Sequence, residues 1–169
     1  MIRFLVMDVD GTLTDGKIYM GQNGELFKAF DIKDGYGVKC LLPQVRIIPV
    51  VITARNSAIV ENRCVEMGVE ELYQGKMNKL DTLIQVLQKF SKIDNKEYTL
   101  KDVAYIGDDL LDLQCMQPIK EAGGIVCCPN DAVQEVREIS TYVAHRNAGN
   151  GAVREIIDRL VNEAHPNHM

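Results

Sequence analysis

Asp8 and Asp10, flanking Val9 and followed at once by Gly11-Thr12, are the residues of this chain best suited to chemistry. They come directly after Arg3-Phe4-Leu5-Val6-Met7, a mostly apolar run that reads as a buried strand closed by a glycine turn. Side chains on a strand alternate, so the two carboxylates are expected on one face at the strand's carboxyl end. In open α/β sheets that end is where ligands bind. Like charges this close repel, and the compensation is either a bound cation or a proton held on one of the two.

Two later runs end in a similar way. Ile47-Ile48-Pro49-Val50-Val51-Ile52 leads into Thr53-Ala54-Arg55, and Val103-Ala104-Tyr105-Ile106 leads into Gly107-Asp108-Asp109. Between them, Lys79 opens a segment with helical spacing. Carboxylates converging on one site call for a hard cation, and Mg²⁺ takes oxygen ligands and pairs with phosphate. Together with Lys79 and the Thr53 hydroxyl, such a site can hold a phosphoryl group and stabilise its spreading charge. One carboxylate can act as the nucleophile, and the second can protonate the leaving oxygen and later activate water.

The elements that must position these residues alternate between strands and helices. After the first strand, Thr12 to Asp15 form a turn. Lys17-Ile18-Tyr19-Met20 and Glu25 to Phe30 then flank Gly21-Gln22-Asn23-Gly24, which reads as a hairpin, an insertion over about 16–31. Asp31 to Gly37 reads as a polar loop, followed by a short helix to about Leu42. Asn56 or Ser57 can cap a helix through Met67, with Gly68 as its stop. Glu71 to Gln74 is a short strand, Asn78 to Phe90 a helix and Ser91 to Thr99 a loop. Leu110 to Gln117 is a helix, Gly124 to Cys128 a strand and Asp131 to Ile139 a helix. Thr141 to Ala144 is the last strand, and Gly151 opens a final helix to about Asn162. The tail His165-Pro166-Asn167-His168-Met169 is expected to fray.

This order predicts an α/β fold: a doubly wound, mostly parallel sheet with helices on both faces, a small hairpin and one domain over 1–169. The length of 169 residues and the hydrophobic share of 46% suffice for a real core. A net charge of −5 gives no electrostatic support to nucleic-acid binding. No run of eighteen apolar residues occurs, so no membrane span is expected, and the N-terminus lacks a signal peptide's layout. Cys40, Cys64, Cys115, Cys127 and Cys128 are odd in number and irregular in spacing, which points to reduced thiols in a cytoplasm. Vicinal Cys127-Cys128 reads either as a redox or metal pair or as a buried strand end.

In these motifs the chain resembles the haloacid-dehalogenase superfamily of phosphohydrolases over nearly its whole length. Asp8-Val9-Asp10-Gly11-Thr12 is similar to the nucleophile motif, Thr53 to the second motif, Lys79 to the third and Gly107-Asp108-Asp109-Leu110-Leu111-Asp112 to the fourth. The resemblance implies Asp8 as nucleophile and Asp10 as general acid/base. It implies phosphate binding by Thr53, Ala54 and Lys79, and Mg²⁺ held by Asp8, the Asp10 carbonyl and Asp108. Asp109 and Asp112 would support that shell, with Asp109 also a candidate direct ligand.

Members of this superfamily usually carry a cap domain, but neither insertion point here has room for one. Another subunit is then the economical way to close the site, and Ile18, Tyr19, Leu26, Phe27 and Phe30 of the hairpin offer apolar area for it. A closer resemblance is to the capless 3-deoxy-manno-octulosonate 8-phosphate phosphatases, which are homotetramers built through their hairpins. It rests on Asp10 to Gly16, Phe30 to Gly37, Thr53 to Ser57, Gln74-Gly75 and Gly149-Asn150-Gly151-Ala152-Val153-Arg154-Glu155. Ala54 departs from the glycine common in that family, and the tail beyond Leu160 is short.

The implied substrate carries a carboxylate and a phosphate, so cations are required. Arg55 is placed beside Thr53, and Arg63 lies two helical turns later. Related phosphatases of nine-carbon keto-deoxy sugars tend to have glutamate where Arg55 stands, so arginine favours the eight-carbon acid. Two rival readings are a signalling receiver domain and a non-catalytic oligomerisation domain attached to a nucleotide-sugar transferase. The order of the acidic motifs speaks against the first. The full set of Asp8, Asp10, Thr53, Lys79 and Asp108 speaks against the second.

Overall fold

The structure, a computed structural model, describes residues 1–164. The expected fraying of His165 to Met169 lies outside them. Six strands form one wholly parallel sheet: β1 (Phe4–Met7), β4 (Ile48–Ile52), β5 (Glu71–Tyr73), β6 (Val103–Ile106), β7 (Ile125–Cys128) and β8 (Tyr142–Val143). Their order is β5-β4-β1-β6-β7-β8, so the chain first builds outward from β1 on one side and then returns to β6 on the other. That reversal, between β1 and β6, is the switch point at which such sheets bind ligands.

The strands read as continuous apolar runs because both of their faces are buried. Leu5, Met7, Val51, Ala104, Ile106 and Cys127 point into one core layer, under α2 (Ala58–Met67) and α6 (Ala152–Ala164). Phe4, Val6, Val50, Ile52, Val103, Tyr105, Val126 and Cys128 point into the other, under α3 (Lys79–Ile93), α4 (Leu113–Glu121) and α5 (Gln134–Ile139). This period of two puts Cys127 and Cys128 on opposite sides of the sheet, so they do not form a redox or metal pair with each other. Burial pushes the Cys127 thiol up to about 12.

Several boundaries differ from those read in the sequence. Asp31 to Gly37 is not a loop: Asp31 caps a short helix, α1 (Ile32–Tyr36), by accepting from the Lys33 amide. The helix runs on through a π-type turn over Gly37–Leu41 and a 3₁₀ turn over Leu42–Val45. The glycines here serve close packing. A Cβ on Gly35 would lie 2.2 Å from the Arg63 guanidinium, and one on Gly37 would press on Arg154 and Ile157 of α6. The hairpin strands, β2 (Tyr19–Gly21) and β3 (Gly24–Phe27), are shorter than expected, with an irregular register at Tyr19 and Met20. Asp131 to Val133 precede α5, because the Asp131 carboxylate is taken by the Ala148 amide and the Val133 amide by the Asp108 carbonyl. Leu110–Asp112 is a 3₁₀ turn before α4, and α3 continues past Phe90 to Ile93. Among the described residues no second globular unit stands over the ends of the strands.

Candidate active site

β1 ends at Met7, and the chain turns sharply just beyond it. The amides of Thr12, Leu13 and Thr14 all donate to the Val9 carbonyl, closing a tight turn over Asp10 and Gly11. Gly11 sits at φ +84°, and a Cβ there would overlap the Asp108 carboxylate at 2.0 Å, so glycine is required on both counts. Asp8 is fixed by its amide, which donates to the Ile106 carbonyl of β6 at 3.1 Å. The first and fourth motifs are thus brought together across the switch point.

Lys79 is the centre of the resulting charge cluster. Its side chain is only 1% exposed, and its Nζ lies 3.0 Å from Asp8 Oδ1 and 2.8 Å from Asp112 Oδ1. Helix α3 aims it there: Asn78 caps the helix by accepting from the Asp81 amide, and Thr82, Leu83, Val86 and Leu87 bury the face along which Lys79 lies. Asp112 is wholly buried and fully engaged. It accepts from Lys79 and from the Tyr105 hydroxyl at 2.8 Å, and from the amides of Asp108 and Asp109 at 2.9 and 3.2 Å. Its side chain fills the space above Gly107, where a Cβ would come within 2.4 Å. Asp108 accepts from the Thr12 hydroxyl at 3.2 Å.

Carboxylate oxygens of Asp8, Asp108 and Asp112 lie within 4.8 Å of one another. Asp8 and Asp112 share one buried lysine and Asp108 adds a third carboxylate, so negative charge is in excess. Burial, followed by the charges of Asp112 and Asp8, pushes Asp108 up to about 8. Asp8 is pushed up to about 6 by burial and by Asp112, with Lys79 opposing both. Burial alone would lower the Lys79 ammonium's pKa, but the charges of Asp8 and Asp112 raise it above the ordinary lysine range. The buried Asp8 Oδ1 faces the Lys79 ammonium and has no further hydrogen-bond partner. A divalent cation with oxygen preference fits such a site, since it would satisfy that oxygen and balance the surplus charge.

The expected pairing of Asp8 with Asp10 does not hold. The alternation argument needs the strand to continue through Asp10, whereas it stops at Met7. Asp10 therefore leaves the acidic cluster and contacts a different lysine, Lys28, whose Nζ reaches Asp10 Oδ1. The gathered carboxylates are those of Asp8, Asp108 and Asp112.

Thr53 is buried at the end of β4, with its amide donating to Tyr73 and its carbonyl accepting from Lys76, both at 3.0 Å. Ala54 is partly exposed beside it. Arg55 reaches towards Asp10 at 3.7 Å and towards Glu25 of the hairpin at 3.3 Å, with 42% of its side chain exposed. Gly75, at φ +68°, backs this loop, and a Cβ there would press on Asn56. Ser57 stands at the cap position just before α2, but its hydroxyl donates to Glu25 at 2.7 Å and does not cap the helix.

Two expected site residues lie apart from the cluster. Asp109 is exposed, and its carboxylate caps the turn that follows by accepting from the Leu110 amide. Arg63 is held by Glu66 at 2.7 Å, by the Asp31 carbonyl at 3.3 Å and over the Phe30 ring. Sequence reasoning passed over Lys28, Glu25 and Thr12. A basic residue within a hairpin is usually solvated, so nothing in the pattern marked Lys28 as buried.

No family model matches the chain. It is 42% identical over 160 residues to the 3-deoxy-D-manno-octulosonate 8-phosphate phosphatase of Escherichia coli strain K12, covering 95% of this chain and 79% of that protein. The crystal structure of the Moraxella catarrhalis 3-deoxy-D-manno-octulosonate 8-phosphate phosphatase holds magnesium, phosphate and KDO. It superposes with a TM-score of 0.85 at 37% identity, covering 98% of this chain and 88% of that one. A Legionella pneumophila hydrolase, described as a member of haloacid-dehalogenase subfamily III A, superposes at 0.82 with 33% identity, covering 98% and 84%.

Proposed function

Since the chain belongs to the 3-deoxy-D-manno-octulosonate 8-phosphate phosphatase family of the haloacid-dehalogenase superfamily, we propose that it hydrolyses that phosphate monoester to the free eight-carbon sugar acid and phosphate. The observation that carries this reading is the gathering of Asp8, Asp108 and Asp112 about Lys79 at the switch point of the sheet. Mg²⁺ is the ion such a donor set fits, and Asp8, the Asp10 carbonyl and Asp108 are the groups that would hold it. When bound it supplies positive charge against the phosphoryl oxygens.

Asp8 attacks phosphorus through a carboxylate oxygen while the bond from phosphorus to the ester oxygen breaks. Asp10 gives a proton to the departing oxygen, which leaves as the sugar alcohol. In the second step Asp10 takes a proton from water, whose oxygen attacks phosphorus, and the Asp8 carboxylate departs. Lys79, the Thr53 hydroxyl and the Ala54 amide bind the phosphoryl oxygens, and Asp112 keeps Lys79 in place. Arg55, paired with Asp10 and Glu25 but 42% exposed at the mouth of the site, can turn from them to meet the sugar's carboxylate; arginine rather than glutamate at this position favours the eight-carbon acid. The contacts of Arg63 to Asp31 and Phe30 support a role in fixing the α1 segment beside the site.

The catalytic unit is one domain spanning 1–169, working in the cytoplasm as a homotetramer built through the hairpin. The exposure of Ile18, Met20, Leu26 and Phe27, at 51–63%, supports such an interface. No described helix is long and apolar enough to cross a membrane. A screen of keto-deoxy sugar phosphates with Mg²⁺, run beside Asp8→Asn, tests this function. The eight-carbon 8-phosphate should be the best substrate and Asp8→Asn inert. Absence of hydrolysis across the set would return the chain to a non-catalytic role.

A further inference from the structure

We propose that Lys28 is a positioning residue for Asp10, and that through it the hairpin sets the geometry of proton transfer to the leaving group. The proposal rests on the reading of Asp10 as general acid/base. The side chain of Lys28 is 1% exposed, as withdrawn from water as that of Lys79. A buried ammonium is costly unless paired, and Lys28 has two partners: Asp10 Oδ1, and Glu25 Oε1 at 2.9 Å.

The backbone explains how a hairpin lysine comes to lie there. Beyond β3 the chain returns alongside its own start, with Thr14 bridged to Phe30 and the Asp15 amide donating to the Ala29 carbonyl at 3.3 Å. This closes the root of the hairpin over the Asp10 turn and carries Lys28 inward. Glu25 completes the arrangement. It accepts from the Ser57 hydroxyl and forms ion pairs with Lys28 at 2.9 Å and Arg55 at 3.3 Å. Burial alone would raise Glu25, but these hydrogen bonds and the charges of Lys28 and Arg55 hold it below the usual carboxylate range. Two cations and two anions therefore form a balanced set that ties the hairpin, the Asp10 turn and the Thr53 loop together.

The set is also directional. Both cations approach the same Asp10 oxygen: Lys28 contacts Oδ1, and Arg55 lies 3.7 Å from it. Fixing Oδ1 fixes the carboxylate plane and assigns the proton transfer to Oδ2. In the first step Oδ2 delivers its proton to the departing ester oxygen, and in the second it receives one from water.

The test uses the steps up to leaving-group departure, which kcat/KM reports, on substrates whose leaving groups differ in basicity. With Lys28→Met, kcat/KM on the alkyl sugar phosphate should fall about 10- to 100-fold, while on 4-nitrophenyl phosphate, which needs no protonation, it should fall less than about 3-fold. Lys28→Arg should recover part of the loss. In an Asp10→Asn background, Lys28→Met should cost nothing further. If Lys28→Met does not fold, Lys28→Gln carries the same comparison. Equal losses on both substrates, or an undiminished loss in the Asp10→Asn background, overturn the positioning role. If Asp10→Asn itself shows no dependence on the leaving group, the reading of Asp10 fails first, and that outcome is distinguishable because it does not involve Lys28.

Discussion

Two lysines, equally buried and each set between two carboxylates, are carried by different parts of this molecule. Lys79 comes from α3, the longest of the described helices, and meets Asp8 and Asp112 at the carboxyl ends of the central strands. Lys28 comes from the root of a two-stranded hairpin and meets Asp10 and Glu25. Around Lys79 the acids outnumber the cation, and Asp8 and Asp108 are raised accordingly. Around Lys28 the charges balance, and Glu25 is lowered. The first arrangement is poised to receive a cation and an anionic substrate, and so remains dissatisfied until they arrive. The second is balanced in charge and holds a side chain still. Burying a charge therefore does two separate jobs here: storing unmet charge for chemistry, and locking geometry.

On this contrast the lysine at the strand ends should matter most. Lys79→Met leaves Asp8 and Asp112 without their cation. It should lower turnover by at least about 10³-fold and stability by about 3–5 kcal/mol, read from kinetics and denaturant unfolding. A smaller loss than that of Lys28→Met would break the comparison. Next comes Arg55→Glu, which should reduce turnover of the sugar acid phosphate about 10- to 100-fold while sparing a small aryl phosphate, because a carboxylate would then face a carboxylate. Similar losses on both would mean that Arg55 does not select substrate.

Titration should separate the two regions further. Asp8 and Asp108 keep protons in the folded chain up to about pH 6 and about pH 8, well above the unfolded carboxylate range. The folded state then binds more protons than the unfolded one, so their contribution to stability falls as pH rises from about 4 towards 8. A cation reverses this by favouring the ionised acids. The rise in Tm on adding Mg²⁺ should thus be small at pH 5.5 and grow towards pH 8, by differential scanning fluorimetry; a rise independent of pH would place the ion elsewhere. The smallest effect on the single chain belongs to the hairpin tip. Paired Leu26→Asp and Phe27→Asp changes should alter folding by no more than about 0.5 kcal/mol each, these side chains being exposed, yet dissociate the assembly in analytical ultracentrifugation. An unchanged sedimentation coefficient would remove the hairpin from the interface.

The two regions also differ in how far the sequence reveals them. At the strand ends each residue follows an apolar strand or opens a periodic helix, so Asp8, Thr53, Lys79 and Asp108 are recognisable by place as well as type. The full parallel sheet follows from the same runs, buried on both faces. Asp10 misled, because a period-two pattern cannot announce that β1 stops at Met7 and the chain turns. Asp112 was found but underrated: nothing local shows that one side chain accepts from Lys79, Tyr105 and two amides. The α1 segment was missed because its glycines, used for packing against Arg63 and α6, look like turn glycines. Lys28 was invisible, since its burial depends on contacts with residues elsewhere in the chain.

The claim beneath all of this is that Asp8 takes the phosphoryl group. Rapid acid quenching of the enzyme turning over the 8-phosphate with Mg²⁺, followed by peptide mapping, tests it most directly. The account predicts a phosphorylated peptide whose modification maps to Asp8 and is absent from Asp8→Asn, which should also be inactive. A phosphoryl group on another residue, or sustained turnover by Asp8→Asn, would contradict it.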